Sequence, residues 1–276
     1  MIAECIAEFV AVGSAGAPRY AALTFPLYRE LVGTAGTIAI GAEIAGQAAG
    51  LALARADGAV LSIAVTRPWR RQGIAGMLLA LMEDELRARQ CRVARCTWMT
   101  GTPSTQAIEA LLRRAHWDEP VPRMLVCRVR LTAVLEAPWM KNPPPLSDAA
   151  IRPWIEVPKN ERDSLAPDAG ENCEPANSLA LYAGGRLSGC VVTHRIADNL
   201  LRYSNLMVLP QVERSGLAIA LLATSIHRHP VMKSPADEAG IWDVRMDNRP
   251  MLNVVRRRLQ PYLEHVAKTM GSRKVL

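Results

Sequence analysis

One stretch gathers residues able to hold an anion: Leu61-Ser-Ile-Ala-Val-Thr-Arg-Pro-Trp-Arg-Arg-Gln-Gly-Ile-Ala-Gly76. An apolar strand ends, a short loop passes through Arg70 and Arg71, and a helix starts at a glycine. Small residues at Gly73, Ala75 and Gly76 leave the backbone N–H groups of the first helical turn uncovered. Those donors and the positive helix end make an anion site. The two guanidinium groups add forked donors that match phosphate oxygens. Such a turn can hold a pyrophosphate. A glycine/alanine helix start also permits close helix–sheet packing, so the elements around the turn must decide between the two uses.

Those elements are strands and helices in mixed order. Ala7–Val12 reads as a strand, and Pro18–Val32 as a helical stretch strained by Pro26. Thr37–Ala42 and Gln47–Arg55 form a hairpin turning through Glu43–Gly46, followed by a strand at Val60–Val65. Gly73–Gln90 has helical periodicity, with Ile74, Leu78, Leu81, Met82 and Leu86 on one face and Glu83, Glu85, Arg87 and Arg89 outside. Cys91–Met99 is a strand, Thr105–Ala115 a helix and Arg123–Leu131 a closing strand. Glu136–Pro145 holds four prolines and reads as an extended connector. Domains over residues 1–136 and 147–276, joined by a linker at 137–146, follow from this.

The second part repeats the grammar. A hairpin, Ser178–Ala183 with Leu187–Arg195, turns through Gly184-Gly185. A strand at Leu201–Val208, a helix at Leu217–His227, a strand at Ile241–Met246, a helix at Pro250–Leu259 and a basic tail follow. Val65, Gly73 and Ala75 recur as Val208, Gly216 and Ala218, each 143 residues on (208−65, 216−73, 218−75). Gly50 and Gly189 align at 139 (189−50). Two motifs at nearly one spacing argue for duplication.

With this setting in place, Arg70-x-x-Gly73-x-Ala75 after Val60–Val65 resembles the acetyl-CoA-binding signature of the GCN5-related N-acetyltransferases (GNAT), written R/Q-x-x-G-x-G/A. Thr105–Trp117 resembles the family's next motif, with His116-Trp117 where Gly-Phe is usual. Asn248-Arg-Pro-Met-Leu252 is similar to how that motif begins, in the second copy. The tandem arrangement is similar to that of mycothiol synthase. The resemblance implies an α/β fold of two tandem GNAT-like domains, each a mixed, mostly antiparallel sheet flanked by helices. It implies acetyl-CoA or another acyl-CoA as co-substrate, and no metal. Ile63, Ala64 and Val65 would meet the pantetheine arm and thioester carbonyl, while Arg70, Arg71, Gln72, Gly73, Ile74, Ala75 and Gly76 would cradle the pyrophosphate. The implied activity is acyl transfer to an amine by direct attack. Two alternatives stay open, a catalytically inactive acyl-CoA-binding or sensor module and an acyltransferase with a longer-chain or carrier-protein-bound donor. In the second copy Glu213 stands in the place of Arg70 and Ser215 in that of Gln72, so weak or absent CoA binding is expected there.

The proton-transfer groups are not legible. Leu112 falls where the family often has a tyrosine, and Val60–Val65 carries no carboxylate. Tyr28, Thr105 and His116 are candidates, together with Tyr20, and each has a duller reading. Thr105 opens a helix as an N-cap, His116 is an exposed turn residue, and the tyrosines pack. Pro158–Asn177, with Glu161, Asp163, Asp168, Glu171 and Glu174, reads as a solvated mobile loop or as an attractant for a cationic acceptor.

Composition bounds the rest. The chain has 276 residues, enough for two domains, and with half of them apolar, 21% charged and 5% aromatic the composition suggests neither a fibre nor disorder. Six cysteines show no metal spacing and read as buried thiols, Cys5 among them. Glu4 and Glu8 stand where a signal peptide would be basic, and apolar runs such as Met77–Met82 are too short to cross a bilayer, so a cytoplasmic protein with no membrane partner is expected. The formal charge of +7 is spread along the chain, and Arg256-Arg-Arg258 sits in a predicted helix, so no nucleic-acid partner is expected. The expected partner is an amine-bearing small molecule or peptide; oligomeric state is not encoded in any motif.

Overall fold

The computed structural model describes residues 6–146, 148–170, 172–229 and 238–276. Cys5, Glu4 and Glu171, singled out above, lie outside those residues. The chain forms two compact units, one of Met1–Arg123 with Lys268–Leu276, the other of Met124–Ala267.

In the first unit β1 (Glu8–Ala11) is followed by α1 (Ala17–Tyr20) and two 3-10 turns, Ala21–Leu23 and Pro26–Leu31. The single helical stretch expected over Pro18–Val32 therefore breaks, because the residue before Pro26 is forced into an extended conformation. β2 (Thr37–Ile44) and β3 (Gln47–Arg55) turn through Ala45 and Gly46, both at positive φ, as a two-residue hairpin requires. β4 (Ala59–Val65), α2 (Ile74–Ala88), β5 (Val93–Met99) and α3 (Thr105–Arg114) complete the unit.

β1, β2, β3 and β4 pair antiparallel in sequence, and β4 pairs with β5 in parallel. α2 buries Ile74, Leu78, Leu79, Met82 and Leu86 against Ile40, Ala52 and Val60, each leucine contributing about 1.5–3 kcal/mol. Glu83, expected outside, is buried on the same helix. Its Oε1 accepts from Trp117 Nε1 at 2.7 Å and its Oε2 pairs with Lys274 Nζ at 2.6 Å, which satisfies the charge.

β6 (Val121–Arg130), expected to close the first domain, pairs instead with a strand of the second unit. That unit continues through α4 (Leu131–Leu135), α5 (Pro138–Lys141), β7 (Ala150–Pro153), α6 (Lys159–Leu165), β8 (Leu179–Ala183), β9 (Arg186–Ala197), β10 (Leu200–Val208), α7 (Leu217–His227), β11 (Ala239–Arg245), α8 (Arg249–Val254) and a π-helical turn at Val255–Leu259. The last strand, β12 (Leu263–Val275), leads back: Thr269–Val275 pair antiparallel with β5 and stand in the place expected for the closing strand. The basic tail is thus a strand. Its Arg273 and Lys274 are held by Asp118 and Glu83.

Two further expectations change. The segment 137–146 is no extended connector, since α5 forms within it, Ala137, Trp139 and Met140 are buried, and Trp139 Nε1 donates to Arg258 O at 3.1 Å. It lies inside the second unit, and the unit change falls at Arg123/Met124. Pro158–Asn177 is no open loop either. α6 forms there, Ala166 and Ala169 join a core with Trp154, and Asn177 is buried with its Oδ1 accepting from Thr193 Oγ1 at 2.7 Å.

Candidate active site

The site begins where β4 and β5 separate. They pair only at Ala59↔Arg95 and Val60↔Cys96, and beyond Val60 the strands splay. β3 still pairs with β4 as far as Gly50↔Val65, so one edge of Leu61–Val65 is covered while the edge toward β5 is released. Gly50 suits this close approach. A Cβ would lie 3.0 Å from Leu78 Cδ1 and 3.1 Å from Ala64 O. Ile63, Ala64 and Val65 therefore present backbone groups along an open edge, half-buried.

After β4 a 3-10 turn, Arg67–Trp69, carries the chain to the start of α2. Arg71 has φ 66° and Gly73 φ 82°, so the backbone passes twice through the left-handed region before the helix begins. For arginine this conformation costs about 1–3 kcal/mol, held by the structure around it. The amides of Gly73, Ile74, Ala75 and Gly76 lie in the first turn, where helix geometry provides no intrahelical acceptor. A Cβ added at Gly73 or at Gly76 would meet nothing within 4 Å, so the space beside these amides is open.

The preceding Arg70, Arg71 and Gln72 are exposed. Arg70 Nε donates to Val65 O at 2.9 Å, tying the loop to the strand end, and Gln72 Nε2 donates to Pro68 O at 3.4 Å. Residues 66–76 hold three arginines (67, 70 and 71) and no acid. Charge, donors and space thus coincide, and the ten residues proposed to bind cofactor are brought together on one strand end and one helix start. These residues fit an acyl-CoA.

The equivalent turn of the second unit has the same backbone and a different surface. Arg214 has φ 62° and Gly216 φ 85°. A Cβ at Gly216 would lie 3.1 Å from Pro144 Cβ, so Pro144 covers the position that is open at Gly73. Ser215 Oγ accepts from Leu217 N at 3.3 Å and donates to Val212 O at 2.6 Å, which occupies one first-turn amide. Residues 209–219 carry Glu213 and Arg214 as their only charges.

The candidate proton-transfer groups are scattered. Tyr28 meets Phe25 edge to face at 6.0 Å and packs into an apolar cluster with Val32 and Leu53. Thr105 is not the N-cap of α3, since Ser104 holds that place. Its hydroxyl accepts from Thr102 N at 3.1 Å and donates to Met99 O at 3.3 Å, which pins the loop after β5. His116 is exposed with φ 57°, ending α3 in the left-handed position, with Trp117 N bonded to Leu112 O at 3.0 Å. Leu112 is buried.

Sequence reasoning missed one cluster. Tyr20, buried, donates its hydroxyl to Glu43 Oε1 at 2.7 Å, and Arg19 Nη1 lies 3.1 Å from the same oxygen. The Tyr20 hydroxyl bond, with Arg19 beside it, holds Glu43 below the usual carboxylate range. Burial, then the bond to Glu43, raises Tyr20 to about 12. The signal was available in the alternation of β2, which sets Ala39, Gly41 and Glu43 on one face. Gly41 is what lets the Tyr20 ring approach, for a Cβ there would lie 2.4 Å from it.

Three of the buried cysteines are held as thiols. Burial pushes Cys96 and Cys190 up to about 12 and Cys127 to about 11. Among the described residues no group of three His, Cys, Asp or Glu is placed to hold a metal, and no helix is long and apolar enough to cross a membrane.

Residues 13–115 match the family model of the Acetyltransferase (GNAT) family. No curated protein matches the chain. Among solved structures, a tandem GNAT protein from the clavulanic acid biosynthesis pathway superposes with a TM-score of 0.67 at 13% identity, covering 98% of each chain. A GCN5-related N-acetyltransferase from Sphaerobacter thermophilus has a TM-score of 0.61 at 18% identity, covering 97% of this chain and 95% of its own. Another from Kribbella flavida has 0.53 at 14%, covering 98% and 71%. The motif at residues 70–75 lies within the region that matches the GNAT family model, and the fold likeness to a tandem GNAT protein runs over nearly the whole length of the chain.

Proposed function

We propose that the first unit binds an acyl-CoA at the start of α2 and that the protein transfers the acyl group to an amine on a small molecule or peptide. The observation that carries this reading is the open space at Gly73 and Gly76, beside the exposed Arg70 and Arg71 and after the splayed edge of β4. The match of residues 13–115 to the GNAT family model supports acyltransferase activity in general terms. Acetyl is the acyl group proposed first.

Acyl-CoA, when bound, supplies an acyl group activated as a thioester. The first-turn amides and the two arginines receive the diphosphate. The freed backbone of Ile63–Val65 offers donors and acceptors for an extended amide arm and a donor for the thioester carbonyl oxygen. The acceptor amine must lose a proton before it attacks, since a lysine-type amine has a reference pKa of about 10.4. Neither β4 nor β5 carries a carboxylate, so we assign that proton to water. Turnover is then expected to rise with pH along the ionisation of the amine. The free thiols at Cys91, Cys96, Cys127, Cys173 and Cys190 fit a reducing, cytoplasmic setting.

Calorimetric titration of acetyl-CoA and a longer acyl-CoA tests the reading, with wild type and Gly76→Glu. Gly76 lies inside α2 with an open Cβ position, so the substitution adds a carboxylate beside the first-turn amides while leaving the fold unstrained. Wild type is expected to bind one acyl-CoA per chain, and Gly76→Glu to weaken binding about a hundredfold. If neither thioester binds wild type, the CoA assignment fails.

A further inference from the structure

The second unit holds an opening of its own, independent of the acyl-CoA reading. β10 and β11 pair in parallel at Leu200↔Ala239, Leu201↔Gly240 and Arg202↔Ile241, and then separate. Between Tyr203–Met207 on one arm and Trp242–Arg245 on the other lies a cavity of about 300 Å³, the lower end of the range for small-molecule sites. Leu131, Leu222, Ile226, Val244, Met251 and Leu259 form its apolar side, and Ser204, Asn205, Asp243, Arg245 and Asn248 add polar groups to the lining.

We infer that this cavity binds a compact neutral molecule with an apolar body and one hydrogen-bond-accepting end. Three observations set that chemistry. First, a polyphosphate has no seat here, because Pro144 covers Gly216, Ser215 occupies the Leu217 amide and Glu213 replaces an arginine. Second, the charges at the cavity are already matched. Asp243 Oδ1 receives Arg202 Nη2 at 2.7 Å and Arg245 Nη2 meets Asp247 Oδ2 at 2.6 Å. A charged ligand end would add an ion without a counter-ion, which a partly apolar enclosure penalises. Third, Asn248 lines the cavity, and its Oδ1 is committed to Met251 N at 3.1 Å, which leaves the amide NH₂ to donate to a ligand. At the Tyr203 side, the hydroxyl lies 3.4 Å from His229 Nδ1, and His229 Nε2 lies 3.1 Å from Glu238 Oε2. Burial pushes the His229 pKa down, which keeps this group neutral as well.

A void of this size with an aliphatic side forfeits packing contacts. A ligand with an apolar body restores those contacts, and one polar acceptor uses the Asn248 donor. The site is thus distinct in chemistry from the anion turn of the first unit, although it occupies the equivalent strand splay.

Octanol, octanoate and octylamine, titrated calorimetrically into the full-length protein, distinguish neutral, anionic and cationic ends on one apolar body. Octanol is expected to bind at one site about tenfold or more tightly than either ion, and saturating acetyl-CoA is expected not to displace it. Leu222→Trp and Met251→Trp, each filling the cavity from a different helix, should each weaken octanol about tenfold while acetyl-CoA binding stays unchanged. Absence of octanol binding to wild type up to its solubility, or equal binding of octanoate or octylamine, overturns the inference. Displacement by acetyl-CoA also overturns it, since the cavity would then serve a thioester. A wild type that binds octanol but no acyl-CoA leaves this site standing and defeats only the acyl-CoA reading of the first unit.

Discussion

The turns at Gly73 and Gly216 share a backbone and differ in nearly everything that faces a ligand. The pairs Arg71/Arg214 and Gly73/Gly216 agree within a few degrees in φ, at 66° and 62° and at 82° and 85°. The strand register leading into them repeats too, Gly50↔Val65 against Gly189↔Val208, each followed by the same backbone bond, Thr66 N to Ala49 O and Leu209 N to Ser188 O, both at 2.8 Å. Backbone geometry alone therefore does not separate the two turns. What differs is occupancy and charge: open space against Pro144, uncommitted amides against Ser215, three arginines against one offset arginine. The strained left-handed residue survives in both copies, which ties it to the strand-to-helix connection itself and not to the ligand.

The largest effect is expected from removing Lys268–Leu276. This deletion strips β5 of the partner that pairs with it from Met99↔Thr269 to Val93↔Val275. It also leaves the buried Glu83 without Lys274, a loss of about 3–5 kcal/mol by itself. The truncated chain should lose acyl-CoA binding and the cooperative melting of the first unit. Were it to bind acetyl-CoA as the full chain does, residues 1–136 would form a self-sufficient domain after all. The milder Lys274→Met should lower the melting temperature while keeping acyl-CoA affinity, because the ion pair supports the sheet and touches no part of the turn.

Next in size is an attempt to make the second turn resemble the first. Pro144→Ala, Glu213→Arg and Ser215→Gln together clear the space over Gly216, restore the positive charge and release the Leu217 amide. Calorimetry should then read two acyl-CoA sites per chain, where wild type reads one. A variant that still binds one shows that Ile219, standing where Gly76 stands in the first copy, suffices to close the turn; Ile219→Gly added to the set decides that point.

The legible parts of the molecule were those fixed by local chemistry. Gly73, Ala75 and Gly76 behind Arg70 and Arg71 marked the turn, and the hairpins were visible through Gly46 and Gly184-Gly185. α2 followed from the spacing of Ile74, Leu78, Leu81, Met82 and Leu86, and α7 from its place in the repeat. The parts that escaped depend on partners far away in sequence. Lys274 reads as a basic tail until Glu83 and Ala115 O are beside it, since nothing near residue 274 announces a buried carboxylate 191 residues earlier. Pro144 reads as a linker residue until Gly216 is placed against it. Glu43 reads as a hairpin residue because its two partners, Arg19 and Tyr20, lie on a short helix interrupted by turns, where no periodicity survives to be read.

The smallest effect separates the two units by pH. The only histidine in the first unit is His116, which is exposed, whereas His229 in the second unit is buried beside Tyr203 and Glu238. Burial lowers the His229 pKa from the ordinary value of 6.5, although the hydrogen bond to Glu238 works the other way. A depressed value means that the unfolded chain takes up this proton first as the pH falls. Its stabilising contribution is complete above pH 6.5 and is lost as acidification carries the solution from 6.5 down toward the folded value. Within that window the slope approaches about 1.4 kcal/mol per pH unit. Urea melts at pH 7.5 and about 5.5 should show the second unit losing on the order of 1 kcal/mol that the first does not, and His229→Gln should flatten that difference. Equal acid softening of both units would instead assign the effect to surface carboxylates, which the two units share, and would remove His229 as the source of the asymmetry.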